Sequence, residues 1–153
     1  LTHEACLGYD TNAKMNPPLR EQSDVDAIRD GVANGVITVL ATDHAPHTAD
    51  EKQLPFGKAP FGIIGLESAV AGYARLCNLD REHRGDDGLG ELRVGGPADI
   101  TGIDPDHGWT FDESALAGKS ANSPFLGRSF NARPVLAVVG GRVAMNRLAM
   151  ASN

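Results

Sequence analysis

Apolar residues recur along this chain with two different periods. Val25, Ile28 and Val32 share one helical face, behind Ser23, which can cap a helix, and Asp24 and Asp26, which suit its positive end. Gly35 follows as a stop. Residues 36–41, Val36-Ile37-Thr38-Val39-Leu40-Ala41, are a short, β-branched and almost continuous apolar run, the pattern of a strand buried on both faces of a parallel sheet. Leu66, Ala69, Val70, Tyr73, Leu76 and Cys77 return to helical spacing and predict a second helix that stops near Asn78, with residues 43–65 as the loop between.

The remaining stretches lack such periods. Gly8, Asp10, Asn12, Asn16, Pro17 and Pro18 mark residues 1–20 as an irregular loop that other parts of the chain must hold. Residues 80–88 read as a solvated, charged linker, and short strands are expected at 91–94, 98–104 and 109–111. Residues 135–139 and 142–145 flank Gly140-Gly141, a two-residue loop suited to a tight hairpin. Trp109 and Phe111 are expected in the core of this β-rich part. The reading is therefore an α/β unit over 1–78 followed by a β-rich segment over 79–153.

Composition narrows the function classes. The chain has 153 residues, 41% of them hydrophobic, and contains no apolar run of the roughly 18 residues that a membrane span needs. A net charge of −6, with no basic stripe, argues against nucleic acid as a partner. Cys6 and Cys77 sit in no metal-binding or redox spacing, and no signal peptide is visible, which makes a reducing cytoplasm the expected compartment. Eighteen glycines and nine prolines suit a loop-rich enzyme. The opening at Leu1, without Met or a leader, is expected to lie inside a longer protein.

Polar chemistry begins where the apolar run ends, at Asp43, His44 and His47, with Lys52 close behind. The mouth of a strand is where barrels and open α/β sheets place their sites, and an aspartate among imidazoles suits hydrolytic metal chemistry. A loop cap is the alternative at that position. The motif Ala41-Thr42-Asp43-His44-Ala45-Pro46-His47, followed by four residues and Lys52, resembles the second signature of the dihydroorotases. Lys14-Met15-Asn16-Pro17-Pro18-Leu19-Arg20 resembles the segment preceding that signature, and Ala59-Pro60-Phe61-Gly62-Ile63-Ile64-Gly65-Leu66-Glu67 the one following it. Val94-Gly95-Gly96-Pro97-Ala98-Asp99-Ile100, Lys119-Ser120 and Asn122-Ser123-Pro124-Phe125 are similar to the tail of the same enzymes.

The resemblance implies the C-terminal piece of a TIM-type (β/α)8 barrel followed by a small β-sandwich segment. It implies zinc as cofactor and a small cyclic amide as substrate, dihydroorotate being interconverted with N-carbamoyl-aspartate in pyrimidine synthesis. Asp43 would ligate the zinc and act as general base and acid. Asn16 and His47 would hydrogen-bond the ring, and the backbone of Pro60, Phe61 and Gly62 would hold its other edge. His44 is expected to support the loop rather than bind metal. The family's other zinc ligands, beginning with a His-x-His pair, have no match here, so the chain by itself is expected to be inactive. Family members also carry a longer helix where this chain passes from 71 to 79, which reads as an internal deletion. Homo-oligomers and aspartate carbamoyltransferase are the partners the resemblance suggests. The rivals are a related cyclic amidase, such as an allantoinase or dihydropyrimidinase, and a noncatalytic scaffold subunit of aspartate carbamoyltransferase.

Overall fold

Helix α1 spans Gln22–Ala33 and begins on a reciprocal pair of carboxylates. The Glu21 side chain accepts the Asp24 amide while the Asp24 carboxylate accepts the Glu21 amide at 3.1 Å, so Glu21 is the cap and Ser23 lies within the first turn. The correction has a simple cause: this box satisfies two of the helix's orphan amides, where the Ser23 hydroxyl would satisfy one. Val36 N donates to Gly31 O and Gly35 N to Val32 O, closing the helix at the expected place. Val32 is buried, while Ile28, placed on the same face, is half exposed at 52%.

The computed structural model describes residues 1–74 and 92–148. Within them, residues 36–41 are not a strand, contrary to the sequence expectation. No described segment pairs with them, and Val36 and Val39 are exposed. An apolar β-branched run becomes a strand only when neighbouring backbones complete its ladder. The run is instead anchored locally, with Ile37 N donating to Gly31 O and the Ile37 side chain packed against Gly31.

The loop expected at 43–65 holds a single helical turn, α2 (Ala49–Lys52). Thr48 and Glu51 form its capping box, a signal present in the sequence. Helix α3 (Leu66–Ala74) buries Ser68 and Ala71, and leaves Leu66 61% exposed rather than on the packed face. The expected continuation through Leu76 and Cys77, the charged linker, the proposed boundary and most of the stretch assigned to the deletion lie outside the described residues.

The N-terminal loop contains two short 3-10 turns, His3–Cys6 and Thr11–Ala13. As expected, distant groups hold it. His3 N donates to Arg20 O, the Thr11 hydroxyl to Lys52 O, and Lys52 Nζ to Thr11 O at 2.9 Å.

The second half is β-rich. Strand β1 (Ile100–Asp104) pairs antiparallel with β4 (Arg133–Val139), which pairs with β5 (Arg142–Asn146), giving the order β1-β4-β5. Gly140 and Gly141 have φ of 54° and 76°, the left-handed values of a tight hairpin turn, and Val139 faces Arg142 across it. Strands β2 (Trp109–Thr110) and β3 (Ser129–Phe130) form a separate pair. Residues 92–94 are not a strand: the chain turns there, Gly96 N donates to Arg93 O, and Leu92 and Val94 face solvent. Among the described residues no helix is long and apolar enough to cross a membrane.

Phe111 is fully buried at the centre of the aromatic packing, with its ring 5.9 Å from Trp109 and 6.3 Å from Phe130, which in turn meets Phe125. Trp109 Nε1 donates to Ala132 O, so its polar end is satisfied. Replacing Phe111 with alanine is expected to cost about 3–5 kcal/mol of unfolding free energy, measured by urea denaturation of the polypeptide carrying this chain. A loss below about 1 kcal/mol would show that the cluster is not the core of this half.

Candidate active site

The segment after the apolar run is stitched to residues 61–66 by its own backbone and by His44. Ala45 N donates to Ile63 O at 2.8 Å, and His44 Nδ1 accepts the amides of Gly65 at 3.1 Å and Leu66 at 3.4 Å. His44 thus serves the start of α3, in a structural role, with its Nδ1 in the unprotonated form. The close approach of the two segments explains Gly62. Its φ is 98°, and a Cβ there would lie 2.6 Å from Ala45 Cβ.

Four consecutive carbonyls then receive side-chain donors from four separate places in the chain. Lys14 Nζ donates to Ala59 O at 2.6 Å, Lys52 Nζ to Pro60 O at 3.0 Å, His47 Nε2 to Phe61 O at 2.9 Å, and Asn122 Nδ2 to Gly62 O at 3.3 Å. Both lysines are buried, and Lys14 Nζ lies 4.4 Å from the centre of the Phe61 ring. Burial, reinforced by the neighbouring Lys14 charge, holds the Lys52 pKa below its ordinary value. The Glu51 carboxyl is held below its usual range by hydrogen bonds from the Thr48 backbone and hydroxyl, and it stands 3.8 Å from His47 Nδ1.

Of the expected site residues, His47, Pro60, Phe61 and Gly62 come together in this loop. Asp43 and Asn16 stand apart from it. Both are exposed, and no hydrogen bond or ion pair among the described residues ties either side chain to the loop. Asp43 has φ of 46°, a value that aspartate tolerates better than most residues. Asn16 precedes a cis bond to Pro17. A cavity of about 300 Å³ beside the loop is lined by Asn12, His47, Lys52, Lys119, Ser120 and Asn122 among others. Among the described residues no group of three or more His, Cys, Asp or Glu side chains converges on a point.

Sequence reasoning left two contributors without a role. Lys14 was part of a matched motif, but nothing local says that its stem crosses to Ala59. Asn122 also lay in a matched segment, but nothing local says which groups it meets, since its partners lie 60 to 77 residues away.

Gly62→Ala is expected to lower stability by about 1–3 kcal/mol through strain and the clash with Ala45, read by thermal unfolding. A neutral effect would mean that the two segments separate easily. The lowered Lys52 pKa fixes the sign of a pH effect. The unfolded chain binds this proton more readily than the folded one, so Lys52 adds stability as pH rises through the window between its lowered folded value and the ordinary 10.5. The stability difference between the unsubstituted chain and Lys52→Met should widen across that window; a flat or narrowing difference in urea titrations would contradict the burial of this ammonium.

No family model matches the chain. It is 44% identical over 168 aligned residues to a dihydroorotase of Pelotomaculum thermopropionicum, which covers 95% of this chain and 38% of that protein. To a dihydroorotase of Geobacter metallireducens it is 45% identical over 169 residues, covering 96% of this chain and 38% of the relative. The chain thus spans a little over a third of the length of these relatives. Both alignments are longer than the 153 residues present, so the relatives carry residues with no counterpart here. Among solved structures, a D-hydantoinase (dihydropyrimidinase) from Thermus sp. superposes with a TM-score of 0.72 at 26% identity, over 90% of this chain and 34% of that one. The mixed α/β arrangement is therefore shared with the hydantoinases, and over nearly its whole length this chain is homologous to part of the dihydroorotases.

Proposed function

We propose that this chain is the part of a dihydroorotase that carries the active-site loop after the apolar run at 36–41 and the β-rich tail. The polypeptide containing it interconverts dihydroorotate and N-carbamoyl-aspartate, a cytoplasmic step of pyrimidine synthesis. The observation that carries this reading is the 44–45% identity to dihydroorotases across 95–96% of the chain. The loop that the Asp43–His47 motif shares with residues 59–62 supports it.

Zinc is the cofactor of this reading, and a zinc centre needs three or four converging donors. The described residues do not meet that requirement, so Asp43 is proposed as one ligand and the remainder must come from polypeptide outside them. The protein's own residues have separable tasks. The Asp43 carboxylate is exposed and takes no partner among the described residues, which leaves it able to accept a proton from the attacking water and return it to the departing ring nitrogen. His47 holds the Phe61 carbonyl, and the Phe61 amide has no partner among the described residues, so the backbone edge of Pro60, Phe61 and Gly62 retains a donor for the ring. Asn16 would meet the ring from the N-terminal loop. Assembly into homo-oligomers or with aspartate carbamoyltransferase belongs to the same proposal.

The Thermus neighbour favours one competing reading, a cyclic amidase that opens hydantoin rings. Parallel assays of the purified parent polypeptide with dihydroorotate and hydantoin separate the two, and turnover of hydantoin alone would overturn the dihydroorotase assignment. Asp43→Asn keeps a residue that tolerates positive φ, so the fold should survive while dihydroorotate turnover falls by about 10²–10⁴-fold. Near-normal turnover in that variant would remove Asp43 from the chemistry.

A further inference from the structure

We infer that Asn122 is a positioning residue for the candidate active site, a carboxamide that sets the His47 segment against the Pro60–Gly62 edge; this rests on the dihydroorotase reading. Its side chain is 5% exposed and all of its main bonding capacity is used. Oδ1 accepts the His47 amide at 3.1 Å, while Nδ2 donates to Ala45 O at 2.9 Å and to Gly62 O at 3.3 Å. The Asn122 carbonyl also accepts the Ile64 amide at 3.1 Å. One residue therefore fixes backbone on both of the two adjoining segments, and it acts on His47 and Gly62 without lying at the expected reacting atoms.

The chemistry of the side chain is specific to this task. An amide N–H must be accepted and two carbonyls must be donated to, within one short planar group. Aspartate retains the acceptor but turns its second oxygen toward the two carbonyls. Serine has a single proton to donate. Loss of the clamp would leave the half-buried carbonyls of Ala45 and Gly62 without this donor and free the two segments to shift relative to each other. Displacement by about 1 Å at a site of this kind weakens productive binding even when every reacting group is retained.

The test uses the polypeptide that carries this chain, with amide hydrogen exchange and steady-state kinetics on the same preparations. In the unsubstituted protein the Ala45 and His47 amides should exchange as slowly as those within α1. Asn122→Asp should speed exchange at those two amides by about tenfold or more and raise KM for dihydroorotate by about tenfold, with kcat changed less and exchange in β1-β4-β5 unaltered. The inference is overturned if Ala45 and His47 exchange as fast as exposed loop amides, or if exchange rises in the variant with KM unmoved, which would make Asn122 purely structural. Should the variant fail to fold, the exchange rates of the unsubstituted protein decide. If that protein does not turn over dihydroorotate at all, the functional reading fails, and the clamp is judged on exchange alone.

Discussion

Peptide groups removed from water must find partners, and residues 59–62, buried at Ala59 and partly exposed beyond it, do so in an unusual way. They are not part of any helix or strand, yet each of their carbonyls is captured by a side chain, from Lys14, Lys52, His47 and Asn122 in turn. An unpaired buried carbonyl costs on the order of 1–3 kcal/mol, so the Lys14 bond to Ala59 matters most to the loop, and the bonds nearer the surface matter less because water can replace the donor. The geometry of the candidate site follows from this. The N-terminal loop, α2, the motif around His47 and the segment at Asn122 are joined through one irregular stretch, and that stretch carries the backbone proposed to meet the ring.

Two of the four donors are buried lysines, and their choice has a physical reason. A carbonyl pulled from water is satisfied well by a charge-assisted donor, and the long lysine stem can reach it from another part of the chain while its methylenes pack on apolar surface. Lys14 places its ammonium over the Phe61 ring, and Lys52 also takes Thr11 O, so each tethers more than one segment. The cost appears as the depressed Lys52 pKa, since burial and the neighbouring Lys14 charge both disfavour the second cation.

The two imidazoles of the motif divide their work. His44 turns its Nδ1 to the amides that open α3 and His47 turns its Nε2 to Phe61, so two histidines only three positions apart fix two different parts of the following segment. Asp43, at a positive φ and in solvent, takes no side-chain hydrogen bond or ion pair among the described residues.

Much of this was legible along the chain. The hairpin at Gly140-Gly141, the stop of α1 at Gly35, the aromatic core at Phe111 and the family resemblance of the motif around Asp43 depend on local chemistry, and a local pattern states local chemistry fully. Even the α2 turn was written in the Thr48 and Glu51 capping box. What the pattern of residues could not state was pairing. Whether 36–41 forms a strand depends on neighbouring backbone, and no described segment supplies it. That Asn122 would close a clamp on Ala45, His47 and Gly62 depends on segments 60 to 77 residues apart meeting in space. Spacing thus determined the turns and the family resemblance implied the chemistry, whereas only the tertiary structure decided which side chain satisfies which peptide group, because that choice is made by proximity and not by sequence order.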